Sequence, residues 1–233
     1  ITQCKNEIHN ILQRANIKLT SYLSDIYGVT GMSLLEMFID GEVITEQSLL
    51  PKIHRKVKAT AAELVEAMDG KLSFEDRFLL GQSLEHYRHL VNQIEEITVV
   101  IKQYVLERFE REYNLLIELP GVSAIVACVI LSEIGPNVEA FQSQGNLASW
   151  AGVCPGSYES AGIKKSSHTT QGNKYLKSSL FQAGGIAGRS KDEAFHNLYA
   201  RISGRSSKMK AIIACAHKMI RIIYKIFSTG AHY

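Results

Sequence analysis

SFEDRFLLGQSLEHYRHLVNQIEEITVVIKQYVLERFEREYNLLIE, residues 73–118, decides the architecture. Ser73 offers a capping hydroxyl, and Glu75 and Asp76 put negative charge in the first turn, where the helix dipole favours it. Leu80, Leu84, Tyr87, Val91, Ile94, Ile101 and Val105 then recur at spacings of four and three, with a break at Thr98. This pattern predicts one helix of about 46 residues, roughly 69 Å long at ~1.5 Å per residue. A stripe of that length cannot be buried by one compact domain and needs a partner helix. Residues 52–68 of the same chain are one partner; a second copy, giving a dimer, is the favoured one.

On the N-terminal side, Ile8, Ile11, Leu12, Ile17, Leu19 and Leu23 predict an amphipathic helix over 4–26. A short helix over 32–39 ends at Gly41, and a third starts at Pro51 and runs to Met68, stopped by Asp69-Gly70. On the other side, Leu119-Pro120-Gly121-Val122-Ser123 opens an apolar helix over 124–134, closed by Gly135-Pro136. A short helix near 147–151, a Gly- and Ser-rich loop over 152–172, and basic helices over 173–189, 192–203 and 208–227 complete the chain. No segment reads as a strand. The expected fold is all-α, with a helical linker and coiled-coil region over 1–118 and a compact helical domain over 119–233.

Charge divides the chain more sharply than hydrophobicity does. The whole carries 26 Lys and Arg against 23 Asp and Glu. From Ser160 onward there are 13 cations and only Asp192 and Glu193, a net of +11, leaving −8 for residues 1–159. An asymmetry of this size points to a polyanionic partner for the basic part. No apolar run approaches the roughly 18 residues of a membrane span, and no secretory pattern opens the chain. Cys4, Cys128, Cys154 and Cys215 are widely spaced, which indicates neither a zinc site nor a disulfide framework and fits a reducing cytoplasm. The start at Ile1 rather than Met suggests a fragment or a processed product.

Three constellations could carry chemistry. The turn at 119–123 resembles the second half of a helix-hairpin-helix element, in which backbone N–H groups at a helix start hold a phosphate; Gly121 and Ser123 are its contact residues. A tight turn between two packing helices is the alternative, and Ser123 stands where a second Gly is usual. The loop mixes Ser157, Ser160, Ser166, Ser167, Thr169 and Thr170 with Lys164, Lys165 and Lys174, and structureless loops of this length are usually functional or disordered. A hydroxyl beside cations and a helix start has what phosphoryl transfer requires; spacing does not choose among the six. Lastly, Arg201, Arg205, Lys208, Lys210, Lys218, Arg221 and Lys225 punctuate the final helices. Seven phosphate contacts would give log K a slope of about −6 against log salt. His217 reads as a core or surface histidine, and the scattered Glu133, Glu139 and Glu159 form no metal site.

The succession LPGVSAIVACVILSEIG (119–135), NLASWAGVCPGSYESAG (146–162), KKSSHTTQGNKYLKSSLFQAG (164–184) and KMKAIIACAHKMIRIIY (208–224) resembles the C-terminal transposase domain of the IS-one-ten-type insertion-sequence recombinases of bacterial mobile elements. The stretch over 5–42 resembles the linker and coiled-coil region of the same family, so the likeness is collinear along the chain. Its most specific part is the Pro155-Gly156…Ser160-Ala161-Gly162…Gly172-Asn173 block. The resemblance implies that Ser160 becomes joined to DNA. The family's basic and Gly-Asn positions fall on Lys164, Lys165, Gly172 and Asn173; together with Ser166, Lys174, Lys177, Arg201, Arg205, Lys208 and Lys210 these cationic and polar residues are the expected nucleic-acid contacts. Family members pair this part with an N-terminal RuvC-like domain whose four acidic residues bind Mg²⁺. They work as dimers or tetramers on DNA, guided by a bridge RNA.

The 233 residues contain no such acidic domain, so no cofactor is expected in this chain, and Mg²⁺ is expected in a full-length parent protein. The chain alone is expected to bind nucleic acid and self-associate without recombining DNA. The alternatives are a non-enzymatic dimeric nucleic-acid-binding module and a structural coiled coil with a solvated basic end.

Overall fold

The computed structural model describes residues 1–156, 158–160, 163–166 and 168–233, and for 158–160 and 163–166 the backbone only. Helices α1 (Thr2–Arg14), α2 (Leu19–Tyr22), α3 (Val29–Asp40), α4 (Glu46–Leu49) and α5 (Ala61–Ala67) precede the long α6 (Phe74–Ile117). After it come α7 (Ala124–Ile134), α8 (Gln144–Trp150), strands β1 (Tyr158–Ser160) and β2 (Ile163–Ser166), and helices α9 (Lys174–Ala187), α10 (Glu193–Arg205) and α11 (Lys208–Thr229). The fold is all-α, as expected. The antiparallel β1–β2 pair, within what the sequence predicts as plain loop, is the departure. Strands of three and four residues are too short to show a period of two, and a bulge beside Tyr158 breaks the register further.

Two compact units divide at Glu96 and Ile97, inside the long helix rather than at the predicted 118/119 boundary. The last turns of α6 belong to the second unit because Val105, Tyr113, Leu115 and Leu116 are buried in its core. The predicted stripe therefore splits in three. Leu80 and Leu84 are buried in the first unit and Val105 in the second, while Ile94 and Ile101 between them are about half exposed. Ser73 caps α6 as predicted, accepting from the Asp76 N–H at 3.0 Å. Phe109, at φ −138° and ψ 35°, kinks the helix near its end.

Within the first unit, two predicted helices are shorter than their periodicity suggests. The helix over 4–26 breaks at Asn16, which sits in the left-handed region at φ 58°, a conformation Asn tolerates better than most residues. The helix from Pro51 to Met68 is a 3-10 turn, Leu50–Lys52, then irregular chain, then α5. What starts α5 is a capping box. Thr60 accepts from the Glu63 N–H, and the Glu63 carboxylate accepts from the Thr60 N–H at 2.7 Å. The core of this unit gathers Ile8, Leu34, Leu35, Leu64, Leu80 and Leu84.

The second unit is organised around α11, which packs on α8, α9 and α10, while α7 packs on α9. Its core includes Leu116, Ile130, Leu147, Leu180, Phe195, Met219 and Ile220. Residues at the C-terminal end close over this unit. Tyr233 donates its hydroxyl to Asp192 at 2.9 Å, and His232 lies 2.6 Å from the Glu118 carboxylate. Among the described residues, no helix is long and apolar enough to cross a membrane.

Phe195 is fully buried, whereas Phe74 is 82% exposed. Phe195→Ala should lower the unfolding free energy by about 3–5 kcal/mol, read as a fall in the urea midpoint. Phe74→Ala should change it by less than about 0.5 kcal/mol.

Candidate nucleic-acid interface

The loop that carries the hydroxyls is closed at its base by backbone packed on backbone. Gly152, at φ 72°, lies directly against Gly172: a Cβ on Gly172 would come within 2.4 Å of the Gly152 nitrogen. No side chain fits there, which explains both glycines. Around this contact Asn173 N–H donates to Trp150 O at 3.0 Å, Thr170 N–H to Cys154 O at 3.3 Å and Gly156 N–H to His168 O at 2.8 Å, and Pro155 pairs with Thr169. The neck so formed continues into the β1–β2 pair, in which Ser160 stands opposite Ile163 and Glu159 opposite Lys164. The side chains of Ser160, Lys164, Lys165 and Ser166 lie outside the described residues.

Asn173 is the joint between neck and α9. Its side-chain oxygen accepts from the Tyr175 and Leu176 N–H groups, both at 3.0 Å, and its amide donates to the Glu133 carboxylate. It thus caps α9 and ties it to the last turn of α7. Lys177 donates to Thr170 O at 2.9 Å, holding the neck from the other side, while Lys174 is exposed. The thiol of nearby Cys154 is pushed up by burial, so it offers no thiolate as a competing nucleophile.

Gly121 and Ser123 stand elsewhere. Gly121, at φ 84°, packs on the far end of α9, where a Cβ would come within 2.3 Å of Ala183 O. Ser123 caps α7 by accepting from the Val126 N–H at 3.4 Å. Glu133, at the other end of α7, is the residue that meets Asn173. The predicted phosphate turn and the serine hairpin are therefore at opposite ends of the α7–α9 pair, about 15 Å apart along ten helical residues.

The predicted cations of the last two helices form a continuous corner. Arg201 and Arg205 are one turn apart on α10, and Lys208 and Lys210 lie in the first turn of α11; all four are exposed. Among the described residues none of them, nor any other Lys or Arg beyond Ser160, forms an ion pair with a carboxylate.

Lys210 also enters a groove of about 740 Å³ between α8, α10, α11 and the neck. Its floor is Val153, Leu198, Ile213 and Ala214, and Thr169 and Pro155 of the neck form one wall. Lys218 and Arg221 complete the cationic rim. Lys218 donates to Ala194 O at 2.8 Å, and Arg221 Nε donates to Gln144 Oε1 at 3.1 Å. His217 faces the same groove, and burial, assisted by Arg221, holds its imidazole below the usual range. Sequence periodicity finds the cations but not this cavity. Gln144 and Thr169 reach it from elements far away in the chain, and no local signal marks them.

Residues 113–200, from the end of α6 through most of α10, match the Transposase IS116/IS110/IS902 family. The neck, the β1–β2 pair and the first two turns of α10 lie within that matched segment, while Arg201, Arg205, Lys208 and Lys210 follow it. It is 31% identical over 148 residues to the pilin gene-inverting protein of Moraxella lacunata, a match covering 61% of this chain and 45% of that protein. To the transposase for insertion sequence element IS1328 of Yersinia enterocolitica it is 25% identical over 156 residues, 65% of this chain and 46% of that one. The chain spans just under half the length of the curated relatives it matches.

The geometry generates two expected outcomes. Asn173→Ala removes the α9 cap and should cost about 1 kcal/mol of stability by urea denaturation. His217, held below its ordinary value of 6.5, stays neutral in the fold while the unfolded chain takes up a proton first. Its contribution is complete above about pH 6.5 and is lost as pH falls through the lowered folded value. His217→Gln should therefore flatten the decline in stability on the acid side of pH 6.5 relative to the parent chain.

Proposed function

We propose that this chain is the DNA-holding, serine-bearing part of a bacterial DNA recombinase, with Ser160 as the nucleophile. The observation that carries this reading is the placement of Ser160 at the end of β1, within the family-matched segment, on strands rising from a neck pinned between α8 and α9. Around that neck stand Lys174, Lys177 and the rim of the groove, cations that form no ion pair with a carboxylate among the described residues.

In the step proposed, Ser160 Oγ attacks a phosphorus of the DNA backbone. The Oγ–P bond forms as the bond from phosphorus to one deoxyribose oxygen breaks, and the hydroxyl proton ends on that leaving oxygen. One phosphodiester replaces another, so neither an oxidant nor a high-energy donor is consumed. A free DNA hydroxyl then attacks the serine-linked phosphorus, and the serine leaves with its proton restored. Lys164 and Lys165 come soon after Ser160 in sequence and would meet the charge that grows on the phosphoryl oxygens.

Among the described residues no three His, Cys, Asp or Glu side chains gather as a metal site, and no step here passes through a metal. Mg²⁺ and a guide RNA are assigned to the longer protein that relatives of more than twice the matched length suggest. Exposed Ile97, Val100, Ile101 and Tyr104 along the middle of α6 support self-association through that helix. The proposed setting is the cytoplasm, where the DNA lies.

In the longer protein, Ser160→Ala should abolish the denaturant-resistant protein–DNA adduct on labelled DNA while leaving binding intact; an adduct that persists removes Ser160 from this role. Arg201→Ala, Arg205→Ala and Lys208→Ala should each weaken duplex binding and reduce the slope of log K against log salt by about 0.9. A steep slope with no adduct from any intact longer protein would instead leave a non-enzymatic binding module.

A further inference from the structure

The groove between α8, α10 and α11 is poorly matched to a duplex backbone. Phosphates need donors and cations; they do not need Val153, Leu198, Ile213 and Ala214 as a floor. Nor does the lining suit a purely apolar partner, since Lys210, Lys218 and Arg221 surround that floor and, among the described residues, no carboxylate lines the cavity. An apolar slot with a cationic rim fits a ligand that is flat and apolar on its faces and anionic at one edge. A nucleotide whose base has left its stack has this character: the base faces contact aliphatic side chains and the flanking phosphate meets the cations. At about 740 Å³ the groove is within the range of sites that enclose small molecules.

The rim is built in advance for such a ligand. Lys218 is fixed by Ala194 O and lies 5.1 Å over the Phe195 ring, so its position is set before anything binds. Arg221 spends Nε on Gln144 and keeps its terminal N–H groups for a phosphate. Both tethers are to neutral oxygens, and among the described residues no carboxylate pairs with either cation. His217 brings one N–H and one bare nitrogen to the floor, a donor and an acceptor that suit a base edge. Thr169 and Pro155 form a wall of the groove and also the bridge of the neck below β1 and β2.

We infer that this groove receives an unstacked nucleotide of a single strand and so holds that strand next to the hairpin that bears Ser160. The inference rests on the nucleic-acid reading given above. It is tested on the 233-residue chain with short single-stranded DNA and RNA oligonucleotides, each carrying one 2-aminopurine, and with the matching duplex. Binding should brighten the probe at one position, through loss of stacking, and an abasic site at that position should weaken binding by about tenfold. Brightening with DNA or with RNA supports the groove and identifies the strand it takes.

Ala214→Phe, which fills the floor, should remove both the brightening and the abasic penalty while leaving duplex binding and its salt slope unchanged. Lys210→Ala, on an exposed side chain whose loss cannot unfold the domain, should weaken single-strand binding more than duplex binding. Duplex binding without brightening or an abasic penalty at any position overturns the groove and spares the nucleic-acid reading. Failure to bind any oligonucleotide at low salt overturns both.

Discussion

One buried face of α11 sets the geometry of the second unit. Ala211, Cys215, Ala216, Met219, Ile220 and Ile223 are fully buried against α8, α9 and α10, and Ile226 nearly so. Once that stripe is inside, a period of 3.6 residues leaves no freedom for the rest of the helix. Lys210, Ala214, His217 and Arg221 succeed one another at spacings of four, three and four and must share the adjoining face. The groove is the consequence. Its floor and rim are the border of the core stripe, so the energy that folds the domain also orients the cations.

Those cations are held in an uncommon way. Ion pairs in this chain, among the described residues, belong to Arg14, Lys52, Arg88, Arg108 and His232. Lys177 and Lys218 are instead positioned by backbone carbonyls and Arg221 by a glutamine amide. A carboxylate partner would fix a side chain and cancel its charge; a carbonyl fixes it and leaves the charge. The net of +11 beyond Glu159 is thus not simply a matter of composition. Its cost is mutual repulsion in the free domain, which a polyanion relieves on binding.

Much of this was legible in the sequence. The helix starting at Ser73 and the one over 124–134 come from periodicity and from capping and breaking residues alone. What escaped was set by contacts distant in sequence. Asn173 reads as a nucleic-acid contact from its place in the Gly-Asn block, yet its side chain is committed to capping α9 and to Glu133, 40 residues away. Gly152 and Gly172 read as features of a pliable loop, whereas each makes room for the other in the neck. The groove depends on Gln144 and Thr169 meeting α11, which no pattern along the chain encodes. The split of α6 between two cores is of the same kind. Its stripe is one pattern in sequence, but what buries each part comes from opposite ends of the chain.

The separation between the start of α7 and the neck bears on how charge at Ser160 could be met. An oxyanion donor acts at roughly 2.7–3.1 Å from the oxygen it stabilises. N–H groups at the start of α7 lie about 15 Å along that helix from Glu133, the residue that meets Asn173. The start of α9 is close enough in sequence, but Asn173 has already taken the Tyr175 and Leu176 N–H groups. Under the proposal that Ser160 attacks DNA, charge on the phosphoryl group would be met by Lys164 and Lys165, close to Ser160 in sequence, and by Lys174 at the start of α9. A serine supplied by one part of a protein and charge stabilisation completed by another would keep each part inert until both are assembled on DNA.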